Sequence, residues 1–347
     1  EFSPLGARAV VGIGPDVVTH VEAYRAVLRL VRPRSAVLCN AEGALRGFVI
    51  AAAIERVPCL GVQLALGPYQ HAIDHGSAGY RPAGDAGPPL GWPCPSTMAL
   101  WGTAHADRFR EYGYPGARLH VTGSPRLDAH AEIRRVLDRR RIRAALGLPP
   151  DGRLIQFSAV LRAGGTYITI DERYARTLRA LARVAGTSPG ARVLVKPWPG
   201  DDVVRLRELA AECGGDRVLV HDPASLWHNA ELLAAADVLL VDLSHLVAES
   251  WAIACPVVFI DYPESRHYFD DEYADELGRI AWTVRDPEEV EDRVRALLAL
   301  GPEDVAAWKA RTAPAVEALF GPADGGAARR IALLARSSEP VDAGWVL

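Results

Sequence analysis

The regular alternation of short apolar strands with helical segments over residues 154–284 limits the fold more than any other feature of this sequence. The strands that it predicts are almost wholly apolar and cover Leu154–Val160, Arg192–Trp198, Arg217–Asp222, Val238–Asp242, Val257–Asp261 and Arg279–Val284. Strands with two apolar faces, separated by helices, are typical of a parallel sheet that is covered on both sides. This part of the chain is therefore predicted to be a doubly wound α/β domain.

The first part of the chain repeats the pattern, with strands predicted at residues 35–40, 59–66, 97–102 and 118–123. A segment rich in glycine and proline, residues 67–96, interrupts it. So long a stretch without helices or strands is usually functional or disordered. Because 347 residues exceed what one compact core usually contains, two α/β domains are expected.

The predicted boundaries are a first domain over residues 1–135, a linker over 136–150 and a second domain over 151–320. A C-terminal helix and tail over residues 321–347 would return to the first domain. The basic stretch Arg134–Arg143 is predicted to be a single helix that leads into the linker. Acidic and apolar residues interrupt its positive charge, which favours a solvated face over a docking patch for anionic lipid.

Composition narrows the choice of partners. A net charge of −4 gives no electrostatic footprint for nucleic acid. No apolar run reaches the roughly 20 residues of a membrane span, so at most peripheral membrane association is expected. The five cysteines include no C-x-x-C pair and fit a reducing cytoplasm better than a disulfide framework. A cytoplasmic protein is expected, and a homodimer is compatible with this composition.

Strand counting predicts where a ligand binds in the second domain. In a sheet of strand order 3-2-1-4-5-6, ligands bind at the carboxyl ends of strands 1 and 4, where the order reverses. The loop "LRAGG" after strand 1 and the turn "DLSH" after strand 4 are therefore expected to face each other. Arg162 supplies charge, and Gly164 and Gly165 allow a phosphate to approach the backbone. The helix predicted over Ser244–Ala254 offers its N-terminal amides and dipole to the same phosphate.

Several side chains near this turn have two interpretations each. The Ser244 hydroxyl caps the helix or binds a phosphate oxygen. Glu249, more than one turn into an apolar helix, needs a partner, either a ribose diol or a structural arginine. His245 contacts phosphate or solvent, and Lys196 neutralises a diphosphate or is solvated. Asp222 begins the loop "DPASLWHN", which is expected near a base.

Four motifs, in their order along the chain, resemble those of GT-B-type glycosyltransferases. They are "AEGALRGFVIAAAIERVPCLGVQLALG" (41–67), "HVTGSPRLD" (120–128), "LVKPWPGDD" (194–202) and "ADVLLVDLSHLVAESWAIACPVVFID" (236–261). The resemblance is strongest to CDP-glycerol glycerophosphotransferases and to surface-polysaccharide glycosyltransferases. It implies a GT-B fold of two facing Rossmann-like domains with parallel sheets, the donor nucleotide in the second and the acceptor against the first. It implies no metal and no other cofactor, since helix dipole and basic side chains stabilise the leaving phosphate.

The resemblance also implies site residues. Donor-binding positions matched to the family's motifs are Lys196, Pro197, Asp242, Ser244 and Glu249. Positions implied at the interdomain cleft are Gly123, Ser124, Arg126 and Asp128. The chain departs from the pattern in three ways: it lacks the histidine usual after Gln63, has Trp198 in place of a histidine, and has His245 in place of a second serine. The first domain also looks short for a GT-B protein, as if reduced or trimmed at its start.

The missing histidine leaves the catalytic base open among Glu42, which follows a strand at a helix start, and His71 and His75 in the Gly/Pro-rich segment. The spacing H-x-x-D-H would also suggest a metal, but further ligands at zinc spacing are lacking, so none is expected.

The leading prediction is a cytoplasmic, metal-independent transferase that moves a sugar or glycerophosphoryl unit from a nucleotide-activated donor to a hydroxyl acceptor. The product would be a surface polymer or a secondary metabolite. Two alternatives stay open. UDP-N-acetylglucosamine 2-epimerases share the "G.P..D" element and a similar serine-then-glutamate turn. A nucleotide-binding protein that has lost catalysis would also explain the missing histidine.

Overall fold

The computed structural model describes residues 15–39, 44–63, 95–111, 116–149, 151–158, 172–197, 201–222, 224–225, 227–242, 244–263 and 271–340. The chain divides into two compact units. The first consists of Glu1–Pro125 together with Glu317–Leu347, and the second is Arg126–Val316. The predicted boundaries at residues 135, 150 and 320 stay a prediction.

The first unit is built on a parallel sheet with the order β1-β2-β3-β4. Its described strands are β1 (Ala36–Leu38), β2 (Cys59–Val62), β3 (Thr97–Leu100) and β4 (Leu119–Val121). Its described helices are α1 (Pro15–Val31), α2 (Ala44–Ile54), α3 (Thr103–Glu111) and, from the C-terminal segment, α13 (Ala327–Ser337). Met98, Leu60 and Leu100 are fully buried along the central strands, as expected for a sheet with two covered faces.

The C-terminal segment is part of the core of the first unit. The rings of Trp101 and Phe320 stack with centroids 5.6 Å apart. Gly321, with φ +75°, lies against Trp101 so closely that an added Cβ would come within 2.0 Å of the Trp101 carbonyl oxygen. Only glycine tolerates both this backbone conformation and this approach. The Arg330 guanidinium also donates to the carbonyl of Thr122 at 2.7 Å.

The second unit contains a six-stranded parallel sheet with the order β10-β9-β8-β5-β6-β7. Its strands are β5 (Leu154–Ser158), β6 (Arg192–Val195), β7 (Val218–Val220), β8 (Val238–Val241), β9 (Val257–Ile260) and β10 (Trp282–Val284). Counted within the unit, this is the predicted order 3-2-1-4-5-6. The predicted α/β class with parallel sheets and doubly wound topology is confirmed.

Helices cover both faces of this sheet. They are α4 (Pro125–Ile133), α5 (Arg139–Ala145), α6 (Glu172–Thr187), α7 (Val203–Gly214), α8 (Asn229–Ala235), α9 (Leu246–Ile253), α10 (Asp271–Ile280), α11 (Val290–Leu298) and α12 (Pro302–Phe320). On α6, Tyr174, Leu178, Leu181 and Ala185 recur every three or four residues and are all buried. That spacing places them on one face of the helix, toward the core that contains Phe157.

The prediction of one basic helix over Arg134–Arg143 is wrong. Helix α4 ends at Ile133, residues 134–136 form a turn, and α5 begins at Arg139. The Asp138 carboxylate accepts hydrogen bonds from the amides of Arg140 and Arg141, at 2.9 and 3.2 Å, and so caps a new helix. The solvated face is also wrong for Arg143, whose side chain is buried.

Within the described part of the chain, none of the helices combines the length and the apolar character that crossing a bilayer requires.

Candidate functional site

The sheet order of the second unit reverses between β5 and β8, which are hydrogen-bonded neighbours. Ser158 at the carboxyl end of β5 pairs with Val241 at the carboxyl end of β8. Polar groups gather at this edge: Ser158 is buried and accepts a hydrogen bond from the Gln156 amide at 3.0 Å, and Asp242 is buried directly after β8. The loop predicted to face this turn, with Arg162, Gly164 and Gly165, lies outside the described residues.

The turn after β8 leads into α9, which begins at Leu246 rather than at the predicted Ser244. The Ser244 hydroxyl accepts a hydrogen bond from the Leu246 amide at 3.2 Å and so satisfies the first amide of the helix. The Ser244 carbonyl accepts a hydrogen bond from the Val247 amide, and the His245 carbonyl accepts from the amides of Ala248 and Glu249. Among the described residues, none accepts a hydrogen bond from the amides of Ser244 and His245. These two amides, near a positive helix end, are available to an anion.

Because α9 starts later than predicted, Glu249 lies in its first turn and not more than one turn deeper. Its side chain is 2% exposed. One carboxylate oxygen is 3.3 Å from the Arg126 guanidinium, and the other is 3.0 Å from Nε2 of His130 and 3.4 Å from the Asn229 amide. The arginine partner that was one of two alternatives for Glu249 is therefore present; a ribose contact stays a prediction.

The pKa values of the two histidines around Glu249 shift in opposite directions. Burial lowers the pKa of His245 to about 4, with Arg126 and His130 acting in the same direction, and so its ring is neutral. Nε2 of His245 can then accept a hydrogen bond from Arg126, 3.0 Å away. Burial also lowers the pKa of His130, but the Glu249 carboxylate and the Arg126 carbonyl outweigh it and raise that pKa overall. When His130 is protonated, the site pairs an imidazolium and a guanidinium with one carboxylate.

The carboxylate is kept charged by the same neighbours. Burial raises the pKa of Glu249, yet His130 and Arg126 together lower it below its ordinary value. Helix α4 supplies Arg126 and His130 from one face, since they are four residues apart, and Nδ1 of His130 donates to the Arg126 carbonyl at 2.8 Å. The start of α4 is thereby fixed to the start of α9.

The raised pKa of His130 predicts a pH-dependent contribution to stability. A histidine whose pKa in the folded protein exceeds its ordinary value of 6.5 stabilises fully below that value, and less as pH rises through the folded-state pKa. We expect His130→Gln to lower the free energy of unfolding most at about pH 5 and progressively less toward about pH 9. Urea denaturation across this range measures the difference between the variant and the wild type.

A matched pair of variants isolates the cause. In a Glu249→Gln background, His130 has lost its partner, so the effect of His130→Gln should no longer decline with pH. A difference that is constant with pH in the wild-type background, or that grows as pH rises, would show that His130 is not held as an imidazolium.

Lys196 follows β6, next to β5, at the same edge of the sheet. Burial lowers its pKa, while Glu249 and then Asp201 counteract that shift. Pro197 is buried beside it. Asp222 follows the edge strand β7, is exposed, and accepts a hydrogen bond from the Ala224 amide at 3.0 Å, so it closes a local turn.

The residues predicted at a cleft divide between the two units. Gly123, with φ +81°, and the buried Ser124 belong to the first unit, where the Ser124 amide donates to the Phe320 carbonyl at 3.0 Å. Arg126 and the half-buried Asp128 belong to α4 of the second unit. The candidate bases Glu42, His71 and His75 lie outside the described residues.

Sequence reasoning missed His130 and Asn229. His130 is four residues after Arg126, a spacing that places both side chains on one face of a helix and could have indicated it. Asn229 lies in the loop predicted near a base, but nothing in its sequence surroundings links it to Glu249.

No protein-family model and no curated protein sequence matches the chain. Solved structures resemble it in fold. One is a putative UDP-N-acetylglucosamine 2-epimerase from Listeria monocytogenes, with a TM-score of 0.68 and 15% identity over 92% of this chain and 78% of that chain. Another is HepE from Anabaena in complex with UDP-glucose, with a TM-score of 0.52 and 15% identity over 96% and 83%.

A third is the wall teichoic acid polymerase TagF, with a TM-score of 0.50 and 16% identity over 69% of this chain and 57% of that chain. At such identities the likeness shows the fold alone. Together with two parallel sheets, the second in the doubly wound order, it identifies the fold of this chain as GT-B.

Proposed function

We propose that the chain is an enzyme acting on a nucleotide-activated sugar or glycerol, which it binds at the carboxyl edge of β5 and β8. One observation carries the proposal: the sheet order reverses where the amides of Ser244 and His245 and the side chain of Lys196 gather. Ligands of doubly wound sheets bind at such a point, and amides at a helix start favour phosphate. Known structures of this fold support it, since that of HepE contains UDP-glucose.

We infer the finer reaction to be metal-independent transfer of a sugar or glycerophosphoryl unit to a hydroxyl acceptor, in the making of a surface polymer or secondary metabolite. Lys196, Arg162 and the helix dipole would stabilise the charge that develops on the leaving phosphate. In the neutral tautomer whose Nε2 accepts from Arg126, Nδ1 of His245 carries a proton that would donate to a phosphate oxygen. Glu249 would hold the ribose, and Glu42, His71 or His75 would deprotonate the acceptor.

A binding experiment tests the site. We expect one of UDP, GDP, CDP, CMP and dTDP to raise the melting temperature, because a ligand that binds the folded state at 100 times its Kd stabilises it by about 2.7 kcal/mol. Lys196→Ala should lower the affinity for that ligand about tenfold, because a charge-assisted hydrogen bond is lost. Arg192→Ala, a cation at the opposite end of β6, is the matched control and should leave the affinity unchanged. No shift with any nucleotide would overturn the proposal.

Turnover experiments separate the finer functions. An epimerase is the second candidate, favoured by the likeness to the Listeria protein, and it would release a 2-epimer of the donor with no acceptor present. A transferase would consume the donor only with an acceptor. If donor binds and is never consumed, the chain is a nucleotide-binding protein without catalysis. Unchanged turnover in Glu42→Ala, and in a variant with alanine at both His71 and His75, would reject these residues as bases.

A further inference from the structure

A second cavity lies at the opposite edge of the same sheet, where the strands begin. Arg153, Asp237 and Pro256, which directly precede β5, β8 and β9, line it. Its volume is about 620 Å³, within the range of roughly 300–1,000 Å³ that is usual for small-molecule sites. In parallel strands the two ends of the sheet are separate edges, so this cavity is distinct from the nucleotide site proposed above.

The charges around this cavity are unbalanced. Arg134, Arg139 and Arg153 line it, and Asp237 is the one acidic group among its described lining residues. Asp237 pairs with Arg139 and Arg153 and also with the buried Arg143. With Arg134, the cavity and its surroundings therefore contain four guanidinium groups and one carboxylate, an excess of three positive charges. Asp304, whose carboxylate accepts from the Gly301 amide at the cavity edge, reduces the excess to two. Such a concentration of like charge favours an anion.

Arg134 carries most of this argument. Its side chain is exposed, and among the described residues it has no carboxylate within ion-pair distance. A charged group near it is of like sign: burial, and then Arg134, lower the pKa of Lys309 to about 8. Lys309 itself lies over the ring of Trp251 at 4.3 Å from the centroid, one helical turn beyond Val305 of the cavity wall.

Aliphatic residues line part of this cavity as well. This aliphatic wall is formed by Ala254 at the end of α9, by Leu297, Leu298 and Leu300 at the end of α11, and by Val305 on α12. A ligand that neutralises the arginines and also has an apolar chain would contact both surfaces. A free inorganic anion would leave the aliphatic wall in water.

We propose that this cavity is a second binding site, and that its ligand is a phosphate ester carrying an apolar chain. The phosphate lies against Arg134, Arg139 and Arg153, where planar guanidinium groups match its oxygens. The chain lies along the aliphatic wall. Both a lipid headgroup and a soluble phosphorylated metabolite have this chemistry.

The test uses octyl phosphate, inorganic phosphate and octyl glucoside as probes of the full-length protein in isothermal titration calorimetry. We expect octyl phosphate to bind at least tenfold more tightly than either other probe, and more weakly as ionic strength rises. Arg134→Glu should reduce its affinity at least tenfold. Arg135→Glu makes the same charge change on the neighbouring residue, which is 76% exposed and pairs with Glu132, and should leave the affinity within about twofold.

Three results would overturn the proposal: no binding of octyl phosphate, equal binding of octyl phosphate and octyl glucoside, or equal loss in the two variants. Thermal denaturation checks that both variants fold. If Arg134→Glu does not fold, Arg134→Gln is used in its place as a milder change. Equal affinities for inorganic phosphate and octyl phosphate would show that the apolar chain of the ligand does not contribute to binding. Co-sedimentation with phosphatidic acid vesicles that depends on Arg134 assigns the site to a lipid, whereas binding of the soluble probe alone assigns it to a metabolite.

Discussion

Replacing Asp237 with asparagine is expected to lower the stability of the second unit by about 3–5 kcal/mol, the cost of leaving a buried charge without its partner. The Asp237 carboxylate is 8% exposed and accepts hydrogen bonds from Arg139 at 2.6 Å, from Arg153 at 3.1 Å and from the Leu154 amide at 2.7 Å. It also pairs with Arg143, whose side chain is 6% exposed.

Arg143 explains the size of the effect. Its guanidinium also donates to the carbonyls of Ala235, at 2.9 Å, and Gly152, at 2.6 Å, so it joins α5 to the starts of β5 and β8. Without Asp237 it would keep these two bonds but lose its countercharge inside the protein. Native-state hydrogen exchange at the amides of β5 and β8 measures the stability of this unit by itself. Asp216→Asn, at an exposed position of the same unit, is the control. If Asp237→Asn and Asp216→Asn lower the stability by the same small amount, Asp237 is not needed to neutralise Arg143.

Replacing Glu249 with glutamine is the second large expected effect, about 1–3 kcal/mol, the cost of leaving buried hydrogen-bond donors without their acceptor. The amide keeps the shape of the side chain but removes the charge that His130 and Arg126 face. Arg126 is 39% exposed and can turn toward water, whereas His130 is 10% exposed and cannot. Its imidazolium would then lose the interaction that outweighs burial, and the pKa of His130 should fall below its ordinary value.

Urea denaturation gives the change in stability, and histidine resonances in NMR spectra give the pKa of His130. Glu132→Gln makes the same substitution at an exposed ion pair on α4 and should change stability little. A large loss of stability without a fall in the His130 pKa would attribute the effect to packing and not to charge. If Glu249 also holds a ribose, Glu249→Gln also lowers the affinity for the nucleotide that raises the melting temperature.

The apolar pattern predicted all ten described strands and the order of the second sheet, because short, mostly apolar runs that alternate with helical segments are typical of a parallel sheet. The polar contacts were harder to predict. Arg143 looked solvated because its partner Asp237 is 94 residues away along the chain. Arg134–Arg143 looked like one helix because its residues favour a helix throughout. The break arises because the Asp138 side chain hydrogen-bonds to backbone amides, and the sequence pattern does not reveal that bond.

At the candidate site, the sequence predicted the position of the turn but not its hydrogen bonds. The position follows from strand counting. The pairing of Glu249 depends on α4 packing beside α9, which no spacing in either helix reveals. His130 was therefore missed although Arg126, one turn earlier, was named.

The C-terminal segment has a consequence for synthesis of the protein. The second unit is one continuous stretch, Arg126–Val316, whereas the first needs residues from Glu317 onward to complete its core. A ribosome makes the chain from its amino end, so the second unit is complete and can fold while the first still lacks Phe320. Until then the ring of Trp101 has no stacking partner from this segment. A chain interrupted at this stage would carry an incomplete first unit, and that unit is where a chaperone or protease would act.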